Sequence, residues 1–499
     1  MHGYLVRQAP SSLVLITVDC LRADHVGFLG YKRPTTPFLD SLANESLVFR
    51  NATTAGAPTY YSLAAILASR YPLALGRDVL GIAPEENTIP SVLKEYGFQT
   101  AAFSAANPYI SARFGYDQAF DCFRDFLESE KLEFPKEGFQ SGFRGRANQA
   151  LSNICHAVPG LDKAYDELYF QYCQRIGSGP CEGLDSLRRF PSADVIVDHA
   201  IAWLNERSRG PFFLWLHLMD PHAPYYPKIE ALHEMKSGRV SAEQARYLNS
   251  FWLRNDIGPN RLRQKREQVI ALYDAGVRWA DTQIRRLTEK LVELNVWDKC
   301  ALAVTADHGE EFLEHGGRFH APLKLTEELI HVPLLLRVPQ VPKLRDLSMP
   351  FGLIDLAPTL LDALGYPAPA SFRGRSRWEQ SSRGEEWHLP VLTECVHGCT
   401  NPFHSKNRVA PRILAVRKGQ HKLVMDFSTG TQQLFNLSSD PAEQNPVDDH
   451  EARPIRRELL ELARKHLVES QKSRDFERRM ESQLRDLRIE WAHSTANTN

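Results

Sequence analysis

The chain of 499 residues is 43% hydrophobic and 24% charged, with a formal net charge of -1 and a sequence pI near 7.0. That length allows two or three domains and a large buried core. The balanced charge excludes a globally basic binder of nucleic acid or anionic membrane, so any anion binding must be local. The first ten residues lack the basic start, long apolar segment and small-residue cleavage site of a leader. No apolar run approaches the roughly 20 residues of a membrane span. The cysteines Cys20, Cys122, Cys155, Cys173, Cys181, Cys300, Cys395 and Cys399 are scattered, which predicts reduced thiols and a cytoplasmic protein. Cys395 and Cys399, with His397 and His404 nearby, match no standard zinc spacing.

In chain order, the apolar run Leu13–Val18 reads as a buried strand, and helical patterns follow over Thr36–Ala43 and Ile89–Tyr96. Ala101–Ala105 reads as another strand. Residues 125–190 mix charge, glycine and aromatics (Phe134, Phe139, Phe143, Tyr165, Tyr169) without a strand pattern, as an insertion would. A helix over Ala193–Arg207 precedes a strand, Pro211–Leu216; a charged helical insertion over 228–265 leads into a helix over Glu267–Leu294. The runs Ala301–Ala306 and Val332–Val338 are further strands. Strands separated by helices imply a mostly parallel sheet covered on both faces, an α/β sandwich whose ligands gather beyond the carboxyl ends of the strands. This body is expected over 10–370. A helix at Leu353–Leu364 and a Pro/Ala/Ser-rich connection then give way to short strands at Ile413–Arg417, His421–Asp426 and Gln433–Leu437, a smaller antiparallel subdomain over 371–450. The charged tail, 451–499, places Leu459, Leu460, Leu462, Leu467 and Leu484 at helical spacing, for packing on its own domain or in an oligomer.

Three of these strands end in acid or imidazole: Asp19 after the first, His217, Asp220 and His222 after Pro211–Leu216, and Asp307 and His308 after Ala301–Ala306. Each alone is weak, because Asp caps helices and a lone His is usually hydrogen-bonded. Together, at the open ends of parallel strands, they can converge on one divalent cation.

These segments resemble the sulfatase family of the alkaline-phosphatase superfamily. The resemblance rests on Val14-Leu-Ile-Thr-Val-Asp19, Arg33-Pro-Thr-Thr-Pro-Phe-Leu-Asp40-Ser-Leu-Ala43, Phe213-Leu-Trp-Leu-His217-Leu-Met-Asp-Pro-His222-Ala-Pro224 and Thr305-Ala-Asp307-His308-Gly309-Glu310. Glu327-Glu328, Asp355-Leu-Ala-Pro-Thr-Leu360 and Asp440-Pro-Ala-Glu443 continue it, so that it spans about residues 12–445. It implies an alkaline-phosphatase/sulfatase-like sandwich and a metal set of Asp19, Thr59, Asp307 and His308. It also implies a substrate or leaving-group contact at His222 and an anion contact at His320, where the family tends to place Lys.

The segment Pro58-Thr59-Tyr-Tyr-Ser62 through Arg70-Tyr71-Pro72 departs from the family's Cys/Ser-x-Pro-x-Arg nucleophile motif. Counting back from Tyr71-Pro72 puts Thr59 at the nucleophile, where formylglycine cannot form. A threonine alkoxide on a metal attacks phosphorus but has no aldehyde through which to eject sulfate. Thr59 therefore tilts the expectation from sulfate esters toward phosphate mono- or diesters of a small molecule or glycan. The alternatives are transfer of a substituted phosphoryl group, as in the superfamily's phosphoethanolamine and phosphoglycerol transferases, and a non-catalytic binding protein with Thr59 as a helix cap. The family's usual second Asp is Cys20 here, a metal ligand or a small buried side chain, and Asp-Asn becomes Asp307-His308. Loss of a carboxylate and gain of an imidazole favour manganese or zinc over calcium or magnesium. His222 is a general acid or the holder of a His-Ala-Pro turn. His320 can neutralise a non-bridging oxygen, Asn107 can donate to the anion, and Arg22 and Asp24 are structural. Oligomeric state is open.

Overall fold

A strand packed on both faces carries a continuous apolar run rather than alternation. In the computed structural model β1 (Ser12–Val18), β5 (Phe212–Leu218) and β6 (Cys300–Ala306) are accordingly buried at every position. The structure describes residues 9–73, 80–127, 183–235, 240–320, 324–339, 341, 345–396, 411–447 and 452–470. Most of the 125–190 insertion, the tail beyond 470, Cys155, Cys173, Cys181, Cys399, His397 and His404 fall outside these residues.

Beside these three strands lie β2 (Leu47–Thr53), β3 (Gln99–Ser104), β4 (Cys122–Arg124), β9 (Leu334–Arg337) and β10 (Arg345–Gly352), while β7 (Glu311–Phe312) and β8 (Arg318–Phe319) form a separate antiparallel pair. The eight-stranded order is β10-β2-β9-β6-β1-β5-β3-β4. β1 pairs in parallel with both β5 and β6, and β9 alone runs against its neighbours β2 and β6. Thr17 of β1 and Ser104 of β3 both register with His217 of β5. His217 is therefore inside a strand that ends two residues beyond its apolar run, because a buried histidine with partners does not end a strand.

The helices that cover the sheet include α1 (Pro37–Ala43), α2 (Thr59–Ala68), α3 (Ile89–Glu95) and α4 (Ala193–Glu206). The charged 228–265 stretch becomes α5 (Ile229–Glu234), α6 (Ala242–Leu253) and the first turns of α7 (Pro259–Glu293). α7 starts two turns before the expected Glu267, since Gly258-Pro259 supplies an N-cap and a proline at the first helical position. Its apolar stripe, Val269, Leu272, Tyr273, Val277, Ile284 and Leu287, is buried, and its face carries Asp274 and Asp281 onto the loops after β1. Asp274 faces His25 Nδ1 at 2.7 Å and accepts from Tyr31 at 2.8 Å.

The four-stranded antiparallel sheet, β11 (Val391–Val396), β12 (Arg412–Lys418), β13 (His421–Asp426) and β14 (Thr431–Asn436), forms the smaller unit. Glu394 N–H donates to the Ala55 carbonyl at 2.9 Å and Thr393 Oγ1 to Thr54 O at 2.7 Å, so its first strand grips the segment that leads into α2. The helix over 453–470 packs Leu459 and Ala463 against Leu414, Val416, Leu423 and Leu434 of this sheet.

Candidate metal-binding active site

β1, β5 and β6 run side by side in one direction, so Asp19, His217 and Asp307 emerge at one edge of the sheet. α2 points its N-terminus at the same place. Its first helical residue is Thr59, no side chain caps it and its first turn carries no acid, so this helix end favours an anion. Thr59, Asp19, Asp307, His308 and Asn107 are all buried to within a few per cent.

Thr59 Oγ1 lies 3.1 Å from His308 Nε2. Nδ1 of the same ring lies 2.8 Å from the Gly309 carbonyl, which makes it the protonated nitrogen and leaves Nε2 as a lone-pair donor. Asp19 Oδ1 and Asp307 Oδ2 each stand 3.6 Å from that Nε2. His217 meets Asp19 Oδ2 at 3.2 Å through Nε2 and Thr17 Oγ1 at 2.9 Å through Nδ1. Asn107 Nδ2 donates to Asp19 Oδ2 at 3.0 Å, so its amide orients the carboxylate.

Beyond Asp19 lies a second layer of groups. Cys20 Sγ sits 3.1 Å from Asp19 Oδ1 and 3.4 Å from His320 Nδ1. The same His320 nitrogen faces Glu310 Oε2 at 3.1 Å, and Tyr225 OH donates to Glu310 Oε1 at 2.9 Å. The His320 ring lies 5.0 Å from that of His222 and 4.7 Å from that of His308, centroid to centroid. All seven residues expected at the site thus belong to one cluster. His217 and Glu310 join it as well; His217 was visible as a strand-end imidazole, whereas Glu310 carried no signal beyond its place in the Asp307–Glu310 motif. Asp220 does not join. It accepts from Arg188 at 2.7 Å and from the Ala193 N–H at 2.9 Å, which fixes the start of α4. Arg22 bridges Asp24 and Glu314, both at 2.7 Å, as a structural ion pair.

Burial alone would raise the Asp19 carboxyl, yet the imidazoles of His222, His217 and His308 outweigh it and hold the group well below the usual carboxylate range. Burial lowers His222. Burial would also lower His320, but the Glu310 carboxylate overcomes it and the imidazole is raised. Burial, with Glu310, Asp19 and Asp307 nearby, pushes the Cys20 thiol up.

The donor set fits a divalent cation. Asp307 Oδ2 is buried with no hydrogen-bond partner, an expensive state for an anion. Among the described residues neither Asp19 nor Asp307 has a lysine or arginine partner. Carboxylate oxygens, a bare imidazole nitrogen and a hydroxyl on one small volume are the donors of a borderline or hard metal.

The covered sheet, with this cluster at the carboxyl ends of its parallel strands, places the chain in the alkaline-phosphatase superfamily. Within it the chain belongs to the sulfatase family: residues 11–366 match the model described as Sulfatase, and residues 317–472 match that described as N-sulphoglucosamine sulphohydrolase, C-terminal. Arylsulfatase K of Rattus norvegicus is 28% identical over 288 residues, 50% of this chain and 47% of the relative. The Mus musculus protein of that name is 30% identical over 288 residues, 50% of this chain and 48% of its own. The matched region thus spans about half the length of these curated relatives. Among solved structures, a protein in complex with its substrate D-glucosamine-2-N,6-O-disulfate superposes with TM-score 0.67 at 18% identity, covering 93% of this chain and 99% of the other. The phosphonate monoester hydrolase of Agrobacterium radiobacter gives TM-score 0.61 at 18% identity, covering 93% and 96%. At such identity these two speak for the fold. Among the described residues no helix is long and apolar enough to cross a membrane.

Proposed function

We propose that this chain is a metal-dependent ester hydrolase acting on a small-molecule or glycan ester, with Thr59 as nucleophile and phosphate mono- or diesters preferred over sulfate esters. The observation that carries the reading is the placement of Thr59 Oγ1, 3.1 Å from His308 Nε2, at the head of α2. Asp19, Asp307, His308 and Thr59 would hold the ion, with zinc or manganese suited to the imidazole. When bound, it supplies the positive charge that makes a threonine oxyanion accessible near neutral pH.

The residues do the rest. The first turn of α2 receives the non-bridging oxygens, and the raised His320, backed by Glu310, adds a cationic donor. Thr59 Oγ1, its proton released to solvent, bonds to phosphorus as the ester P–O bond breaks. His222, whose Nδ1 is tied to the Ala223 carbonyl, hands a proton from Nε2 to the departing oxygen. Burial depresses its proton affinity in the free protein, and the negative charge of a bound ester restores it. Water then attacks phosphorus, the Thr59–phosphorus bond breaks, and the proton returns to His222. Threonine has no carbonyl to reform, which favours phosphorus over sulfur. The names of the curated relatives favour the second reading, a sulfate ester.

Metal analysis together with Thr59→Ala on aryl phosphate monoesters, diesters and aryl sulfates tests both. Turnover of phosphoesters, lost in Thr59→Ala, supports the first reading. Turnover of sulfates alone supports the second, and no turnover with any divalent metal overturns both.

A further inference from the structure

Cys20 occupies a costly position. Its φ of 60° is left-handed, a strained conformation for a residue that is neither glycine nor asparagine. Tyr273 of α7 holds the bend from both sides, donating to the Cys20 carbonyl at 2.8 Å and accepting the Arg22 N–H at 3.0 Å. The side chain so aimed is fully buried, yet its sulfur does not rest among methyl groups as a cysteine used for packing would. Its neighbours are Asp19 Oδ1 at 3.1 Å and His320 Nδ1 at 3.4 Å.

The donor atoms of Asp19, Cys20 and His308 all lie within 4.8 Å of one another, and all three residues are buried. With zinc–sulfur and zinc–oxygen or –nitrogen bonds of about 2.3 and 2.0 Å, the edges of a tetrahedral site are about 3.3–3.5 Å. The observed separations, 3.1 Å from Cys20 Sγ to Asp19 Oδ1 and 3.6 Å from His308 Nε2 to Asp19 Oδ1, straddle that length. The buried Asp307 Oδ2, without a hydrogen-bond partner, opens on the same His308 nitrogen at 3.6 Å.

We infer that Cys20 is a direct ligand of the site's cation, so that a thiolate beside Asp19, Asp307 and His308 selects a thiophilic metal such as zinc over magnesium or calcium. The inference rests on the metal-dependent reading above and narrows it to one donor and one class of ion. The thiol loses its proton to solvent as the ion enters, and a sulfur–metal bond replaces the contact to Asp19.

The test is optical and needs no substrate. The 499-residue chain is stripped with a chelator, reloaded with cobalt(II) to a measured stoichiometry, and scanned for thiolate-to-cobalt charge transfer in the near ultraviolet. The wild-type protein is expected to show that band. Cys20→Ser and Cys20→Asp are expected to lose it, whereas Cys300→Ser, at the opposite end of β6, keeps it. Zinc retention against a competing chelator is expected to fall at least about tenfold in Cys20→Ser. In Cys20→Asp, which restores a charged oxygen donor, retention shifts toward magnesium and calcium. A wild-type protein that holds one cobalt without the band, or a band that survives in both Cys20 variants, overturns the inference and leaves the metal-dependent reading standing. A chain that binds no divalent ion overturns both.

Discussion

Thr59 Oγ1 and His308 Nε2 stand 3.1 Å apart although 249 residues separate them in the chain. The contact exists because α2 and the turn after β6 meet at one edge of the sheet. His308 is locked by its Nδ1 on the Gly309 carbonyl at 2.8 Å, so its free nitrogen can point only into the site. His308→Gln, which keeps polarity but not the nitrogen, should lower kcat/KM at least about a hundredfold and let a chelator strip the metal at correspondingly lower concentration. Circular dichroism should stay native. Unchanged metal retention in this variant would remove His308 from the ligand set.

Much of this site was legible in the sequence because its strands are buried on both faces. Asp19, Asp307 and His308 follow apolar runs whose ends cannot be mistaken, and the motif around Thr59 could be counted from Tyr71-Pro72. What failed to show was what depends on partners. Asp220 has the same residue type and spacing as a ligand, and only Arg188, 32 residues earlier, reveals it as an ion-pair member. β11 and the reversal of β9 arise from sheet pairing across the chain, which local pattern does not encode. Glu310, named only as part of its motif, is fully buried behind His320.

Asp281 gives a pH signature away from the site. Its carboxylate accepts the N–H groups of Phe38 at 3.0 Å and Leu39 at 2.9 Å, capping α1, with Arg278 at 3.6 Å. Burial, aided by Asp40 and opposed by the two N–H groups and Arg278, raises its pKa from 3.8 to about 7. Between those values the folded state binds the extra proton, so this residue's contribution is complete below about pH 4 and declines as pH rises through about 7. The loss is on the order of 4 kcal/mol at most, from 1.36 kcal/mol per pKa unit. Asp281→Asn should flatten that slope in thermal melts taken from pH 4 to 8. A slope identical to wild type would show that Asp281 ionises freely.

Lys422 of β13 ties the smaller sheet to the helix over Glu327–Ile330. Its side chain is entirely buried, with Nζ 2.9 Å from Glu327 Oε1 and 2.8 Å from Glu443 Oε1. Glu443 Oε2 also accepts the Glu327 N–H at 2.7 Å. Lys422→Met removes the cation that bridges the two acids and leaves Glu327 its weaker pair with Arg417 at 3.4 Å; breaking a buried ion pair from one side costs about 3–5 kcal/mol. Denaturant unfolding should record that loss, and adding Glu443→Gln should recover part of it, because the carboxylate that lost its lysine is gone. A loss below about 1 kcal/mol would mean that water reaches the triad.

Gly309 is where the fold constrains the chemistry most tightly. Its N–H donates to Leu329 O at 2.8 Å and the Glu310 N–H donates to Glu328 O at 3.0 Å, so the turn that carries Asp307 and His308 is clamped to the helix over Glu327–Ile330. A Cβ at Gly309 would lie 2.0 Å from the Glu328 carbonyl oxygen, a backbone atom that cannot rotate away. Gly309→Ala must therefore push the turn off the helix, at a cost of about 1–3 kcal/mol in stability. A displacement near 1 Å at His308 can cost about a hundredfold in turnover, so kcat should fall far more than folding suffers. Gly258→Ala, with nothing within 4 Å of the added carbon, should leave kcat unchanged. Equal turnover in the two variants would show that the Asp307–His308 turn shifts without harm, and the geometric basis assigned to catalysis would be wrong.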